Sequence, residues 1–448
     1  MAYIGSTPTT QSFISGTDYF NGTGSQTAFT LTRTVNSVND IEAVVNNVVQ
    51  QPNSAYTLSG TTITFTSAPS SGTSNIYVRY LSTTMQSFTV PANSITRNQL
   101  DSNLQSVVVG RNRIINGAMV IDQRNAGASV TPTAATYTLD RWTTTLSQAS
   151  KFSIQQDAGA VTPPVGFNDY LGVTSLSAYT VGATETFGVR QLIEGYNIAD
   201  LGWGTANAKT VTLSFWVRSS LTGTFGGALR NSAADRSYPF SYTISAANTW
   251  EQKSVTIAGE TTGTWLTTNG VGITLIFGLG AGADRSGTAG AWSAGTALSS
   301  VTGATSVVGT NGATWYVTGV QLEVGTQATS FEYRQYQQEL ALCQRYCFVL
   351  SATAEADFGV GACTSGGVQA MYQYPTTMRT APSVTYTAAN TLSIADGTAG
   401  YTCTVLALKS ASPNQFTTNA TASGTTGGRA GILRWNSGTA TITSSAEL

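Results

Sequence analysis

The sequence predicts an all-β, modular chain of β-sandwich or jelly-roll domains joined by short helical linkers. Three observations predict it. The chain has 448 residues, too many for one ordinary core, so several domains are expected. Roughly a quarter of it is serine or threonine, glycine is abundant and only 10% is charged, while the 41% apolar share still suffices to build cores. Many short runs of β-branched and aromatic residues are separated by clusters of Gly, Asn, Ser and Pro, the spacing of strands and turns.

Residues 1–85 read as a small β-domain of hairpins. Phe29 and Leu31 open one strand; Ile41 to Val45 and Val48-Val49 flank an Asn46-Asn47 turn. Tyr56-Leu58 and Ile63-Phe65 flank Ser59-Gly60, and Ile76, Val78 and Tyr80 alternate in a last strand. Residues 86–113 read as a linker carrying one helix. Thr96 and Gln99 fit a capping box, and Leu100, Leu104 and Val107 continue at helical spacing. Such a helix is too short to stand alone and needs a partner surface.

Residues 114–330 have the size of a jelly roll. Its clearest strand is Lys209–Arg218, where Val211, Leu213, Phe215 and Val217 share one face and Thr212, Ser214, Trp216 and Arg218 the other. Glu251–Ile257 and Gly272–Phe277 are two more, and a long Gly/Ala/Ser/Thr-rich insertion fills Gly278 to Gly312. The segment from Trp315 to Cys347 begins as a strand, with Tyr316, Val320, Leu322 and Val324 expected on one face. It turns at Gly325 and becomes a helix over 331–347. There Tyr333, Tyr336, Leu340, Cys343 and Cys347 follow the 3-4-3-4 spacing of a coiled-coil seam. With Leu100, Leu104 and Val107 these form the expected seam between three chains. Residues 348–448 read as a further β-rich domain at the tip, with turns at Gly366-Gly367, Pro375, Pro382 and Gly424–Gly431.

Composition also excludes. Histidine is absent, which removes the commonest general base and the commonest metal ligand. No cofactor or metal site is expected. Cys343 and Cys347 lack further ligands at metal spacing and read as buried thiols, and four cysteines (with Cys363 and Cys403) are too few for a disulfide-dense scaffold. A net charge of −1 gives no electrostatic footprint for nucleic acid. The N-terminus lacks the pattern of a signal peptide, and the most apolar window, Gly270 to Ala283, is too short and glycine-broken to insert in a membrane.

Several longer motifs resemble one family. DYFNGTGSQTAFTL and the hairpin run that follows look like the N-terminal virion-attachment region of tail fibres from short-tailed bacteriophages. RNRIINGAMVIDQRNAG, LDRWT and SFWVR, together with GVQLEVGTQATSFEYRQYQQELALCQRYC, are similar to tail-fibre and receptor-binding proteins of marine and cyanobacterial phages. In the 348–448 segment only MYQYPTTMRTAP looks familiar. The resemblance implies an elongated homotrimer, assembled in the host cytoplasm and carried on the virion. Its N-terminus would meet tail or adaptor proteins, and a carbohydrate-binding-like jelly roll and distal tip would face host polysaccharide or lipopolysaccharide.

Glycan recognition needs aromatic faces to stack on sugar CH groups and planar polar side chains to bind hydroxyls. Trp292 beside Asp284 and Arg285 in the insertion is the first candidate cluster, Trp265 the second, and Trp435 in LRWNSG a candidate tip residue. Trp142, Trp216 and Trp315 lie in strand-like runs and are expected in cores or interfaces. No catalytic residues are expected. The alternatives are a depolymerase using paired carboxylates, such as Asp140 or Asp284 with Glu251, or a purely structural adaptor or head fibre.

Overall fold

Alternation at period two sets the strands of this protein, and the turns fix where each one stops. The computed structural model describes residues 16–81, 110–351, 356–386, 392–436 and 440–448. The chain divides into two compact units, Met1–Gln99 and Leu100–Leu448. The helix expected around Leu100, Leu104 and Val107 lies outside the described residues.

The first unit holds two antiparallel sheets. One runs β1 (Thr17–Gly22), β7 (Gly72–Tyr80), β3 (Ile41–Val45), β4 (Val48–Val49); the other runs β2 (Ala28–Thr30), β6 (Thr62–Phe65), β5 (Tyr56–Ser59). Asn46 and Asn47 take φ of 50° and 64°, the left-handed pair that a two-residue hairpin turn requires. Phe29, Tyr56, Ile63, Phe65, Ile76 and Val78 form the core.

In the second unit two sheets enclose one large core. The five-stranded sheet runs β10 (Phe152–Gln156), β11 (Leu171–Ser175), β21 (Thr314–Val324), β13 (Val211–Ser219), β16 (Glu251–Ile257). The seven-stranded sheet runs β19 (Ser293–Ala294), β15 (Arg236–Ile244), β14 (Gly223–Arg230), β17 (Val271–Ala281), β12 (Thr186–Glu194), β9 (Trp142–Leu146), β8 (Tyr137–Leu139). Trp142, Phe152, Phe187, Phe215, Phe240, Phe277 and Trp315 fill the space between them. Inside the insertion a small parallel pair, β18 (Ser286–Gly287) with β20 (Ser300–Val301), lies over β14. This is an all-β sandwich of jelly-roll type.

A second core follows. It lies among a three-stranded sheet, β22 (Cys347–Ser351), β31 (Thr441–Ser445), β25 (Ser383–Tyr386), and a seven-stranded one. The latter runs β27 (Gly400–Thr402), β26 (Leu392–Ala395), β30 (Ala430–Trp435), β23 (Asp357–Thr364), β24 (Gly367–Gln373), β29 (Gln415–Thr421), β28 (Val405–Ala411). Leu392, Ile394, Phe416, Leu433, Trp435 and Ile442 are at its centre.

Two sequence expectations in the joint are corrected. Tyr316 does not share a face with Val320, Leu322 and Val324. Gly319, at φ +61°, makes a bulge: Trp216 pairs with Thr318 but Ser214 with Gln321, so the alternation changes phase. Trp315, Val317, Val320 and Leu322 therefore face the main core, while Tyr316 packs outward on Ala158 and Tyr170. The helix is also shorter than expected. Among the described residues the only α-helix, α1, spans Tyr336–Gln344, and Cys347 opens β22 paired with Ser445. Cys343 is buried within the chain against Ile115, Ile121 and Tyr346, with Leu340 partly covered by the same cluster. Both cysteines are wholly buried by their own chain and have no surface to offer a seam between chains; Tyr333 and Tyr336 remain exposed.

The joint is held by buried polar groups. Asn112 accepts from the amides of Ile114 and Leu322 and donates to the carbonyl of Val320. Glu332 accepts from the Asn112 amide at 2.6 Å, Glu339 from that of Asn116, and Arg334 joins Glu339 to the carbonyls of Asn112 and Ile114. Glu194 takes the Arg345 guanidinium in a fork at 2.9 and 2.6 Å, plus the Tyr346 hydroxyl. Glu447 is bound by Arg124 and Arg141, and Arg141 also donates to the Leu192 carbonyl. These contacts tie the second core to the first.

Removing Arg141 leaves Glu447 with Arg124 alone and the Leu192 carbonyl without its donor. Arg141→Met is expected to cost about 2–3 kcal/mol in urea unfolding of the full chain. A loss below about 1 kcal/mol would mean that Glu447 finds water or another partner.

Candidate functional site

The outer face of the five-stranded sheet carries an aromatic ridge. Phe215 and Val217 of β13 are buried in the core, so Trp216 between them points outward, where it is half-buried. Beside it β21 has only the hydrogen of Gly319. A Cβ there would stand 2.6 Å from the ring of Phe167 and 3.2 Å from that of Trp216, so the bulge glycine lets two aromatic rings close over the backbone. Phe167, Phe331 and Tyr333 extend the ridge: centroids lie 5.2 Å apart for Phe167–Phe331, 5.4 Å for Phe167–Tyr333 and 5.0 Å for Phe331–Tyr333. Tyr333 is 59% exposed and presents an open ring.

Two hollows flank the ridge. One, of about 400 Å³, is lined by Gln252, Lys253, Ser254, Ala328, Thr329 and Ser330; Gln252 sits directly across from Trp216 in the ladder. The other, of about 300 Å³, is lined by Phe331, Tyr333, Arg334, Gln335 and Gln338 among others. The segment between them is fixed from beneath by Glu323, which accepts from the amide and hydroxyl of Thr329 at 2.8 and 2.7 Å. A rigid backbone here reduces the ordering cost of binding.

The loop that carries Phe167 contains two facing carboxyls. Asp157 accepts from the Tyr170 amide at 3.1 Å and hydrogen-bonds to the side chain of Asp169, whose carbonyl is held by Thr318 at 2.8 Å. Burial, reinforced by the negative charge of Asp157, pushes the Asp169 carboxyl up to about 6. Tyr170, Trp250 and Tyr316 pack nearby, and the Trp250 indole donates to the Thr162 carbonyl.

The residues singled out from sequence are distributed differently. Trp265 and Trp292 do come together, joined by Trp203 with centroids 4.7 to 5.4 Å apart and edge-to-face angles near 80°. Their N–H groups are spent on the carbonyls of Thr262 and Ala258, and Trp265 is buried. Asp284 and Arg285 are not beside them. Their turn binds back to Ala183 and Thr184, beyond the end of β17 at Ala281, whereas Ser293 next to Trp292 pairs with Ser237 at the level of Thr274. Seven residues of strand, about 23 Å, separate those levels. Trp435 is 2% exposed and stacks on Phe358 at 4.3 Å inside the second core. Of the carboxylates weighed for catalysis, Asp140 is wholly buried and bound to Gln123, and Glu251 is occupied by Lys253 and the amides of Ser245 and Ala246. Among the described residues no three His, Cys, Asp or Glu side chains group as metal ligands would.

No family model and no curated protein sequence matches the chain. Solved structures do align with it in part. TmCBM61, solved in complex with β-1,4-galactotriose, is 9% identical with a TM-score of 0.25, over 48% of this chain and 99% of that one. A family 11 carbohydrate-binding module from Clostridium thermocellum is 13% identical with a TM-score of 0.22, over 42% and 91%. The enzymatically active domain of bacteriophage CBA120 tailspike protein 4 is 10% identical with a TM-score of 0.23, over 48% of this chain and 21% of that one. At such values the case for a ligand rests on this chain's own residues.

Because the Asp169 carboxyl is raised above its unfolded value, its neutral form favours the fold. That stability is complete below the ordinary carboxylate range and is lost as pH rises through about 6. Asp169→Asn should therefore melt higher than the parent chain at about pH 8 and match it at about pH 4. Equal melting temperatures at both pH values would rule out repulsion between the two carboxyls.

Proposed function

We propose that this chain is a receptor-binding fibre protein of a bacteriophage and that it holds a surface polysaccharide on the aromatic ridge of its jelly-roll module. One observation carries the glycan reading: Trp216, Phe167, Phe331 and Tyr333 line up outward over Gly319, between hollows furnished with amide and hydroxyl groups. Sugar rings present an apolar face of CH groups and an equatorial rim of hydroxyls. A ridge of rings with polar groups on either side is complementary to both. Gln252 and Gln338 offer amides that donate and accept at once, the pattern that fits vicinal hydroxyls.

Binding without cleavage is part of the proposal. Its support is that Glu323, Glu332 and Glu339 near the ridge are engaged by amides, hydroxyls or Arg334 and act as structural acceptors, while Asp157 and Asp169 in the Phe167 loop are hydrogen-bonded to each other, closer than the ~5 Å or more that separates paired catalytic carboxylates. The fibre, its homotrimeric assembly and its place on the virion are supported by the resemblance of RNRIINGAMVIDQRNAG and the Gly319–Cys347 segment to phage receptor-binding proteins. Exposed Tyr333 and Tyr336 leave an aromatic surface on the joint for a ligand or a neighbouring chain. A shallow cleft of this kind supplies ~4 kcal/mol, a millimolar affinity that three copies per fibre would multiply.

A glycan array probed with the full chain and with Trp216→Ala tests the reading. The variant should lose tenfold or more in affinity, about 1.4 kcal/mol, whereas Trp292→Ala should bind as the parent does. Undiminished binding by Trp216→Ala would remove the ridge from the site. Release of reducing ends from the bound polysaccharide would replace adhesion with depolymerisation.

A further inference from the structure

The seven-stranded sheet of the jelly roll turns its own outer face away from the core, on the side of the sandwich opposite Trp216. Phe187, Val189 and Ile193 of β12 face inward, as do Leu229 of β14 and Leu275 and Phe277 of β17. Arg190 and Arg230 therefore face outward. Arg190 pairs across the ladder with Ile276, and Arg230 with Thr274, so the two arginines flank β17 on one surface. Two strand spacings and two residues of rise place their backbones roughly 12 Å apart, close enough for two extended side chains to converge.

Neither guanidinium has a hydrogen bond or an ion pair among the described residues, and the Nε of each is buried and unpartnered. This is out of character for the chain. Arg124, Arg141, Arg334 and Arg345 are each matched to a carboxylate. Here the charges that face Arg230 are two more cations, Arg190 and Arg285, and the group facing Arg190 is the Tyr137 phenol. Burial, then repulsion by Arg190 and Arg285, pulls Arg230 down to about 10, and burial pulls Arg190 down too. Unmatched buried charge is costly, and leucine or methionine could cover Ile276 and Ala228 without that cost. An arginine fork is the side chain best shaped to hold a planar or tetrahedral oxyanion by paired hydrogen bonds.

We propose that Arg190 and Arg230 form a second ligand site, for a carboxylate or phosphate group borne on an acidic polysaccharide. The site stands apart from the aromatic ridge and does not depend on it. The oxyanion bridges the two guanidiniums over Ile276 and supplies the countercharge the fold lacks. Arg285, on the turn that follows β17, adds to the positive field at Arg230.

The test uses the full chain at constant ionic strength, with inorganic phosphate, trigalacturonate and a neutral trisaccharide as probes, read by calorimetry and thermal melts. Phosphate has no ring to stack, so its failure leaves the ridge reading untouched, and the arginine variants assign its binding to this site. Phosphate and trigalacturonate should bind saturably and raise the melting temperature. The double variant Arg190→Gln/Arg230→Gln should lose at least tenfold in affinity for both, while Trp292→Ala retains it. Without anion the double variant should melt at or above the parent chain, since repulsion is relieved. Arg230→Lys, which keeps the charge and loses the fork, should bind with intermediate affinity and covers the case in which the double variant does not fold. Tighter binding of trigalacturonate assigns a uronate, and tighter binding of phosphate a phosphate ester. The proposal is overturned by no saturable anion binding, or by binding that survives in both arginine variants unchanged.

Discussion

Buried carboxylates with assigned donors are the constraint on which the second unit depends. Between Gly325 and Tyr336 the chain runs without a ladder of its own, and its amides need partners when they are covered. Glu323 and Glu332 meet that need by accepting from backbone and hydroxyl groups across the joint. Asn112 and Asn116 do the same from the other side, satisfying both their donors and their acceptors. Removing one member would strand a polar group in a dry site, where the cost exceeds the net gain of an ordinary hydrogen bond. RNRIINGAMVIDQRNAG, LDRWT and the Gly319–Cys347 segment thus meet in space at this network.

The same network positions the candidate site. Thr329 is held by Glu323 and the Glu332 amide by Gln321, so Phe331 is delivered between two fixed points against Phe167. The ridge is a by-product of satisfying the joint: the segment crosses the outer sheet face because its acceptors are there, and its aromatic residues cover the bulge glycine. Candidate site and structural staple are one stretch of chain.

Strands were the legible part of the sequence. Val211, Leu213, Phe215 and Val217 alternate without interruption, and β13 and β16 fall where alternation places them. The phase change at Gly319 was hidden, because a single glycine within an apolar run signals either a bulge or a close approach and the sequence does not say which. Helical spacing overran for a different reason. Cys347 continues the a/d pattern, yet pairing with Ser445 recruits it into a sheet whose other strand is nearly a hundred residues away. The ridge itself was illegible for the same cause, since Phe167, Trp216 and Phe331 come from three distant segments. Trp292 stands near charged residues in the sequence of the insertion, but its indole is committed to packing on Trp203.

Charge in this protein is largely turned inward. Its 21 basic and 22 acidic side chains are few for the length, and Arg124, Arg141, Arg334, Glu194, Glu323, Glu332, Glu339 and Glu447 are withdrawn into the interior. What remains outside is a surface of hydroxyls, amides and rings with a weak long-range field. Encounter on such a surface is governed by collision and contact, so its rate should change little between fresh and saline water, where a protein guided by charge would slow markedly.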